Sequence, residues 1–147
     1  MLNRQNWENT IINISRNNIR ILDNIILQKN SVIIFDIDNT LIDKEGKCII
    51  PISILYYYAK MIGFIPILLT SRKEHYRKYT ISQLKKCGIH DYYYLLMRDN
   101  EDDIKKFKLQ SRKKITELGY KITMSIGDNV WDIYGGYNGI SVKIPLY

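Results

Sequence analysis

Apolar and polar positions alternate along this chain in two distinct rhythms. Over residues 1–30, Trp7, Ile11, Ile14, Ile21 and Ile25 recur at helical spacing, with asparagine and arginine between them. This predicts one or two amphipathic helices. "SVIIFDI" (31–37) is an unbroken apolar run, the pattern of a strand buried on both faces. "IIPISILYYYAKMIG" has Pro51 near its start and Gly63 at its end, which frames a helix. "FIPILLT" reads as a second buried strand, and "RKEHYRKYTISQLKKCG" as a helix closed by Gly88. "DYYYLLM" gives a third strand, "DNEDD" an acidic turn, and "IKKFKLQSRKKITELG" a helix stopped by Gly119. "YKITMSIGD", "NVWDIYGG" and "GISVKIPLY" complete the series as strand, short helix and strand. Strands that alternate with helices predict an α/β fold, a mainly parallel sheet of about five strands flanked by helices. Crossovers are expected to be right-handed. The expected organisation is a helical extension at 1–30, packed on a core domain at 31–147.

Composition narrows the class. The chain has 147 residues, 46% apolar and 25% charged, as in an ordinary globular domain. No apolar run approaches the roughly 20 residues of a membrane helix. "MLNRQNWENT" lacks an apolar signal core and a cleavage site, so a cytoplasmic, reducing setting is expected. Cys48 and Cys87 show no metal-ligand spacing and read as ordinary thiols. The formal charge of +7 is concentrated in "RKEHYRK" (72–78) and "KKFKLQSRKK" (105–114). That balance allows an anionic partner such as nucleic acid. Heavy use of isoleucine, asparagine, lysine and tyrosine points to an AT-rich coding sequence, which lowers the weight of any single lysine.

In a parallel sheet of this kind, ligands bind beyond the carboxyl ends of the strands. The expected strand ends carry Asp36, Asp38 and Thr40; Thr70, Ser71 and Arg72; Arg98; and Gly127, Asp128 and Asp132. Each is weak evidence alone, because Asp and Thr also cap helices and make turns. Their convergence on one edge is the signal. Several carboxylates at one site need a countercharge, and hard oxygen ligands favour Mg²⁺. Neither His75 nor His90 lies in a metal-ligand pattern, which argues against zinc.

These residues carry a family resemblance. "DIDNT" resembles the first motif of the haloacid dehalogenase (HAD) superfamily, "ILLTSR" its second and "GDNVWD" its fourth. "FKLQSRKKITELGYKITMSIGDNVWD" is similar to the acid-phosphatase-type branch (subfamily III), where a lysine is followed four residues on by an arginine. The resemblance spans residue 31 to about 140 and implies a Rossmann-like HAD fold without a cap domain. It implies a Mg²⁺-dependent phosphatase acting through an aspartyl-phosphate. Asp36 would be the nucleophile and Asp38 the general acid and base. A like-charged neighbour would raise the Asp38 carboxyl. Thr70 would hold the phosphoryl oxygens. Lys108 would neutralise charge, with Lys105, Lys106, Lys113 and Lys114 as alternatives. Asp36, Asp128 and Asp132, with the backbone carbonyl of Asp38, would hold the metal. Ser71, Arg72 and Arg98 are candidate substrate contacts; the two arginines could equally pair with "DNEDD". Thr40 reads as a turn or cap hydroxyl.

A capless site implies exposed or macromolecular phosphoryl groups. Polynucleotide 3'-phosphatase domains are similar in this respect, although no kinase P-loop accompanies the motifs here. Phosphotransfer and a non-catalytic binding role on the same fold are the other readings. The oligomeric state is left open, as is whether residues 1–30 shield the active edge in a dimer.

Overall fold

A computed structural model describes residues 2–99 and 101–147. Met1, and Asn100 within the acidic turn, lie outside the described residues. Five parallel strands, β1 (Ser31–Phe35), β2 (Ile65–Lys73), β3 (Tyr94–Arg98), β4 (Lys121–Gly127) and β5 (Ile140–Lys143), form one sheet in the order β3-β2-β1-β4-β5. The chain builds outward from β1 through β2 to β3, then returns to place β4 on the other side of β1. The order therefore reverses between β1 and β4, where parallel sheets open their ligand crevice.

The helices are α1 (Arg4–Asp23), α2 (Ile50–Met61), α3 (Arg77–Lys86), α4 (Ile104–Glu117) and the short α5 (Val130–Ile133). A single 3₁₀ turn at Glu74–Tyr76 leads into α3. The period-two geometry of β1 splits its apolar run between two cores. Ile33 and Phe35 join a cluster with Trp7, Ile11, Leu22, Leu55 and Tyr56 under α1 and α2. Val32 and Ile34 join Ile67, Leu69, Ile115 and Ile122 under α4. Residues 1–30 thus supply one long helix, and its Trp7 Nε1 donates to the Pro145 carbonyl at 2.8 Å. Ser15 Oγ donates to the Pro51 carbonyl at 2.6 Å, fixing α1 across the start of α2. Gly63 ends α2 at φ 112°, a conformation that disfavours any side chain.

One expectation is overturned. Cys48 and Cys87 are not thiols but a disulfide, with Cα atoms 5.6 Å apart. Their separation of 39 residues carries no distance information by itself. The fold supplies it, by laying the segment after β1 against the C-terminal end of α3. The cysteines therefore no longer support a reducing compartment. Among the described residues no helix is long and apolar enough to cross a membrane.

Candidate active site

The adjacency of β1 and β4 decides the site. Phe35 pairs with Ile126, so Asp36 and, just past Gly127, Asp128 leave the sheet on neighbouring strands. Asp36 N–H still donates to the Ile126 carbonyl at 2.9 Å, which holds the first carboxylate at the very end of the ladder. The chain then turns sharply. Asn39 takes φ 58°, and the amides of Thr40, Leu41 and Ile42 all return to the Ile37 carbonyl. This turn folds Thr40 back, and its Oγ1 donates to Asp36 Oδ2 at 3.3 Å. Thr40 therefore aims its hydroxyl at the Asp36 carboxylate, where the sequence suggested only a turn or cap.

Asp132 arrives from α5. Its Oδ2 accepts the Asn129 N–H at 3.0 Å, a helix-start bond that fixes the carboxylate. A Cβ built at Gly127 would fall inside the Asp132 side chain, so only glycine permits this approach. Asp36, Asp128 and Asp132 each present an oxygen within 4.8 Å of the others, and all three are buried.

Lys108 answers them. It sits at 1% exposure, with Nζ 2.9 Å from Asp36 Oδ1, 2.7 Å from Asp132 Oδ1 and 2.7 Å from the Leu69 carbonyl. This separates Lys108 from Lys105, Lys106, Lys113 and Lys114, all exposed on the same helix. Asp103 caps α4 by accepting the Lys106 N–H at 3.0 Å and so sets the helix register. One turn beyond Lys108, Arg112 is fully buried and spends its guanidinium on backbone carbonyls. It donates to Trp131 (2.8 Å), Tyr134 (2.7 Å) and Gly136 (3.0 Å). The lysine four residues before an arginine is thus a division of labour: Lys108 meets the acids, and Arg112 locks the segment that carries Asp132.

Burial pushes the Asp36 carboxyl well above its ordinary range; Lys108 pulls it down, and Asp132 and Asp128 push it up again. Asp128 is likewise raised, chiefly by burial. Burial disfavours the Lys108 ammonium, but Asp36 and Asp132 outweigh that and raise it. Three buried carboxylates face one ammonium, so the fully ionised cluster is short of two positive charges. All the converging donors are oxygens, without histidine or cysteine, and that set suits a hard divalent cation such as Mg²⁺.

Asp38 behaves differently from the expectation. Its carboxylate is not in the acidic cluster and does not face Asp36's charge alone. Arg72 grips it with two bonds, Nε to Oδ2 at 2.9 Å and Nη2 to Oδ1 at 2.8 Å. The partner comes from β2, which extends past Thr70 and carries a guanidinium over the same edge. The Asp38 side chain remains 50% exposed and Arg72 14%. Thr70 is fully buried, with Oγ1 accepting the Arg72 N–H at 3.1 Å. Ser71 gives its carbonyl to Arg98 Nε at 2.9 Å, and Arg98 Nη1 donates to the Asp102 carbonyl at 2.9 Å. Arg72 therefore pairs with Asp38 rather than with the acidic turn, whereas Arg98 does bind that turn, through backbone oxygen rather than carboxylate. Sequence reasoning missed the Arg72–Asp38 pair and the Thr40 contact. An arginine two residues past a strand-end threonine was the available signal for the first.

Comparison with known proteins bears on the family and the fold. The sequence model described as HAD superfamily, subfamily IIIB (Acid phosphatase), matches residues 43–145. Acid phosphatase 1 of Solanum lycopersicum is 31% identical over 99 residues, covering 63% of this chain and 39% of the relative. The chain thus spans about two fifths of that relative's length. Among solved structures, the class C acid phosphatase from Bacillus anthracis superposes with a TM-score of 0.73 at 19% identity, over 92% of this chain and 68% of that one. A chain of the Pnkp1/Rnl/Hen1 complex gives 0.72 at 22% identity, over 79% of this chain and 46% of that one. At these identities the two superpositions speak to the fold.

Proposed function

The chain belongs to the HAD superfamily, subfamily IIIB (Acid phosphatase), and from that premise we propose that it hydrolyses phosphomonoesters with the help of Mg²⁺. The carrying observation is the buried set of Asp36, Lys108, Asp128 and Asp132 at the point where the strand order reverses. Asp36, Asp128 and the Asp38 backbone carbonyl would hold the cation, with Asp132 completing the acidic set. When bound, the cation neutralises the carboxylates and an approaching phosphoryl group.

The residues of the chain do the rest. Asp36 attacks phosphorus in line as a bond forms from its carboxylate oxygen and the ester P–O bond breaks. The leaving alkoxide takes a proton from Asp38, which Arg72 holds toward the open side of the site. Water then attacks the aspartyl-phosphate and gives its proton to Asp38. The acyl-phosphate P–O bond breaks, inorganic phosphate departs and Asp36 is regenerated. Thr70 and the Lys108 ammonium stabilise charge on the phosphoryl oxygens.

The site opens at the sheet edge without an inserted cap, so an exposed phosphoryl group, including one on a macromolecule, suits it. The likeness to a chain of the Pnkp1/Rnl/Hen1 complex favours nucleic-acid ends as one such class. Against it, part of the basic charge is spent internally: Lys108 and Arg112 are buried, and Arg72 is paired with Asp38. Phosphate release should be measured with Mg²⁺ and with chelator across sugar phosphates, nucleotides, phosphopeptides and 3'-phosphorylated oligonucleotides. Activity should vanish with chelator, and Asp36→Asn should lose on the order of 10⁴-fold or more. Full turnover in either case sinks the reading.

A further inference from the structure

α2 has no polar solvent face. Its exposed positions are Ile50, Ile54, Tyr57 and Met61, between 39% and 75% exposed, and all four are apolar or aromatic. Its inward positions Ile52, Leu55, Tyr56 and Ala59 already fill the core. A surface helix ordinarily turns polar residues outward, and a helix that is apolar all round is ordinarily buried. On α4, by contrast, the exposed positions are all polar, from Lys105 to Glu117. The other polar side chains of α2 are engaged within the chain. Tyr58 donates to Asp23, Tyr56 and Lys60 to Asp91, and Ser53 to the Ile49 carbonyl.

The four exposed side chains follow one another in steps of four, three and four residues. That is the a/d rhythm of a helix lying against another helix. The seam begins at a hollow. Trp7, Ile11 and Ile12 of α1, with Ile49, Ile50 and Pro51, line a mostly apolar cavity of about 290 Å³. A knob from a facing helix fills a hole of this kind.

The border of the seam is basic. α1 runs alongside α2, with Ser15 bonded at Pro51 and Asp23 at Tyr58. Arg16 and Arg20 follow Ile12 at i, i+4 spacing, on the row of α1 that flanks the seam. Lys85 and Lys86 close α3 on the other flank, just before Gly88, where a Cβ would lie 3.2 Å from the Tyr57 hydroxyl. None of these four cations makes an ion pair among the described residues. Of the acids nearby, Glu8 is paired with Arg4 and Asp91 with Lys60, and Asp43 is buried on the amides of Glu45 and Lys47. Asp23 alone stands against the four cations, so the border carries an excess of positive charge, as does the whole chain at +7.

Such a border repels a second copy of the same face and favours an acidic partner. The hollow and the a/d rhythm fit a ridge of side chains better than the plane of a bilayer. We propose that α2 and the adjoining row of α1 form a docking face for an acidic amphipathic helix of another protein. That helix lays its apolar side chains along the α2 seam and sets its carboxylates against Arg16, Arg20, Lys85 and Lys86. None of these residues belongs to the strand-end site, so the proposal stands apart from the phosphatase reading.

The probe is an alanine-based peptide of about 16 residues, long enough to run the length of α2. It carries leucines at the spacing of the seam and glutamates on either side of them; its control carries lysines in place of the glutamates. Fluorescence anisotropy should show saturable binding of the acidic peptide, at least about tenfold tighter than the basic one at low salt, with the gap closing as salt rises. Ile54→Glu should weaken that binding by about tenfold or more. Arg16→Glu/Arg20→Glu should erase or reverse the preference for the acidic peptide. Both variants should keep a native-like circular dichroism spectrum, because positions 16, 20 and 54 are exposed. No saturable binding of the acidic peptide, equal binding of the two peptides, or binding that Ile54→Glu leaves unmoved overturns the proposal. A dimer in sedimentation velocity that Ile54→Glu abolishes gives the face to a second copy. Cosedimentation with phosphatidylcholine–phosphatidylserine vesicles that Ile54→Glu abolishes gives it to a lipid surface. Either result overturns the assignment to an acidic helix.

Discussion

The two sides of the strand-end site differ in how they are held. On the inner side, Asp36, Lys108, Asp128 and Asp132 are all buried, and each is fixed by strand ends, a helix start or another charge. On the outer side, Asp38 is half exposed, with Tyr79 and Lys44 in the open beside it. The inner side is built where charge must be placed without solvent, and its parts are rigid because each depends on the others. The outer side is built from a loop and a helix surface, which can change without collapsing the core. The same sheet edge thus combines a buried, interlocked half and a half-exposed one.

The contrast is broken most severely at Lys108. Lys108→Met should cost about 3–5 kcal/mol of stability in metal-free protein, because it leaves Asp36 and Asp132 buried without their cation. Denaturant unfolding in chelator checks this. A loss below about 1 kcal/mol would show that the inner side is not electrostatically interlocked.

Arg72→Gln acts on the outer half. It removes both bonds to Asp38 and the link to Thr80. A drop in kcat of roughly tenfold to a hundredfold is expected, with a changed pH–rate profile and little loss of stability. If only KM moves, Arg72 contacts substrate instead of placing Asp38.

The smallest expected effect sharpens the electrostatics of the inner side. Asp36 and Asp128 have folded-state carboxyls raised above the unfolded value. Their folded forms therefore hold protons longer than the unfolded chain does. That contribution is fully present below the ordinary carboxyl range, near pH 4, and is lost as pH rises through the raised values. In chelator, Tm should therefore fall on going from about pH 4 toward neutrality. Mg²⁺ should raise Tm most at the upper end of that window, where the carboxylates are ionised. Equal Mg²⁺ stabilisation at both ends would point to binding elsewhere.

Much of this was legible along the chain. The order of strands and helices follows from period-two and helical spacing with glycine stops, because backbone geometry is local. Asp36 and Asp128 were also readable, since strand-end positions in a parallel sheet converge, whereas Lys108 was reached only through the family resemblance, with four other lysines left open. What the chain alone did not reveal involves two partners from distant segments. Nothing near Cys48 indicates Cys87, and nothing near Asp38 indicates that a guanidinium from beyond β2 will hold it. The cause is physical: local pattern sets which way a side chain leaves its own strand or helix, but distance between segments is set by packing. Sequence determined the fold class and the acids at the edge. Tertiary structure decided the disulfide and the Arg72–Asp38 clamp, because each exists only once two separately formed surfaces meet.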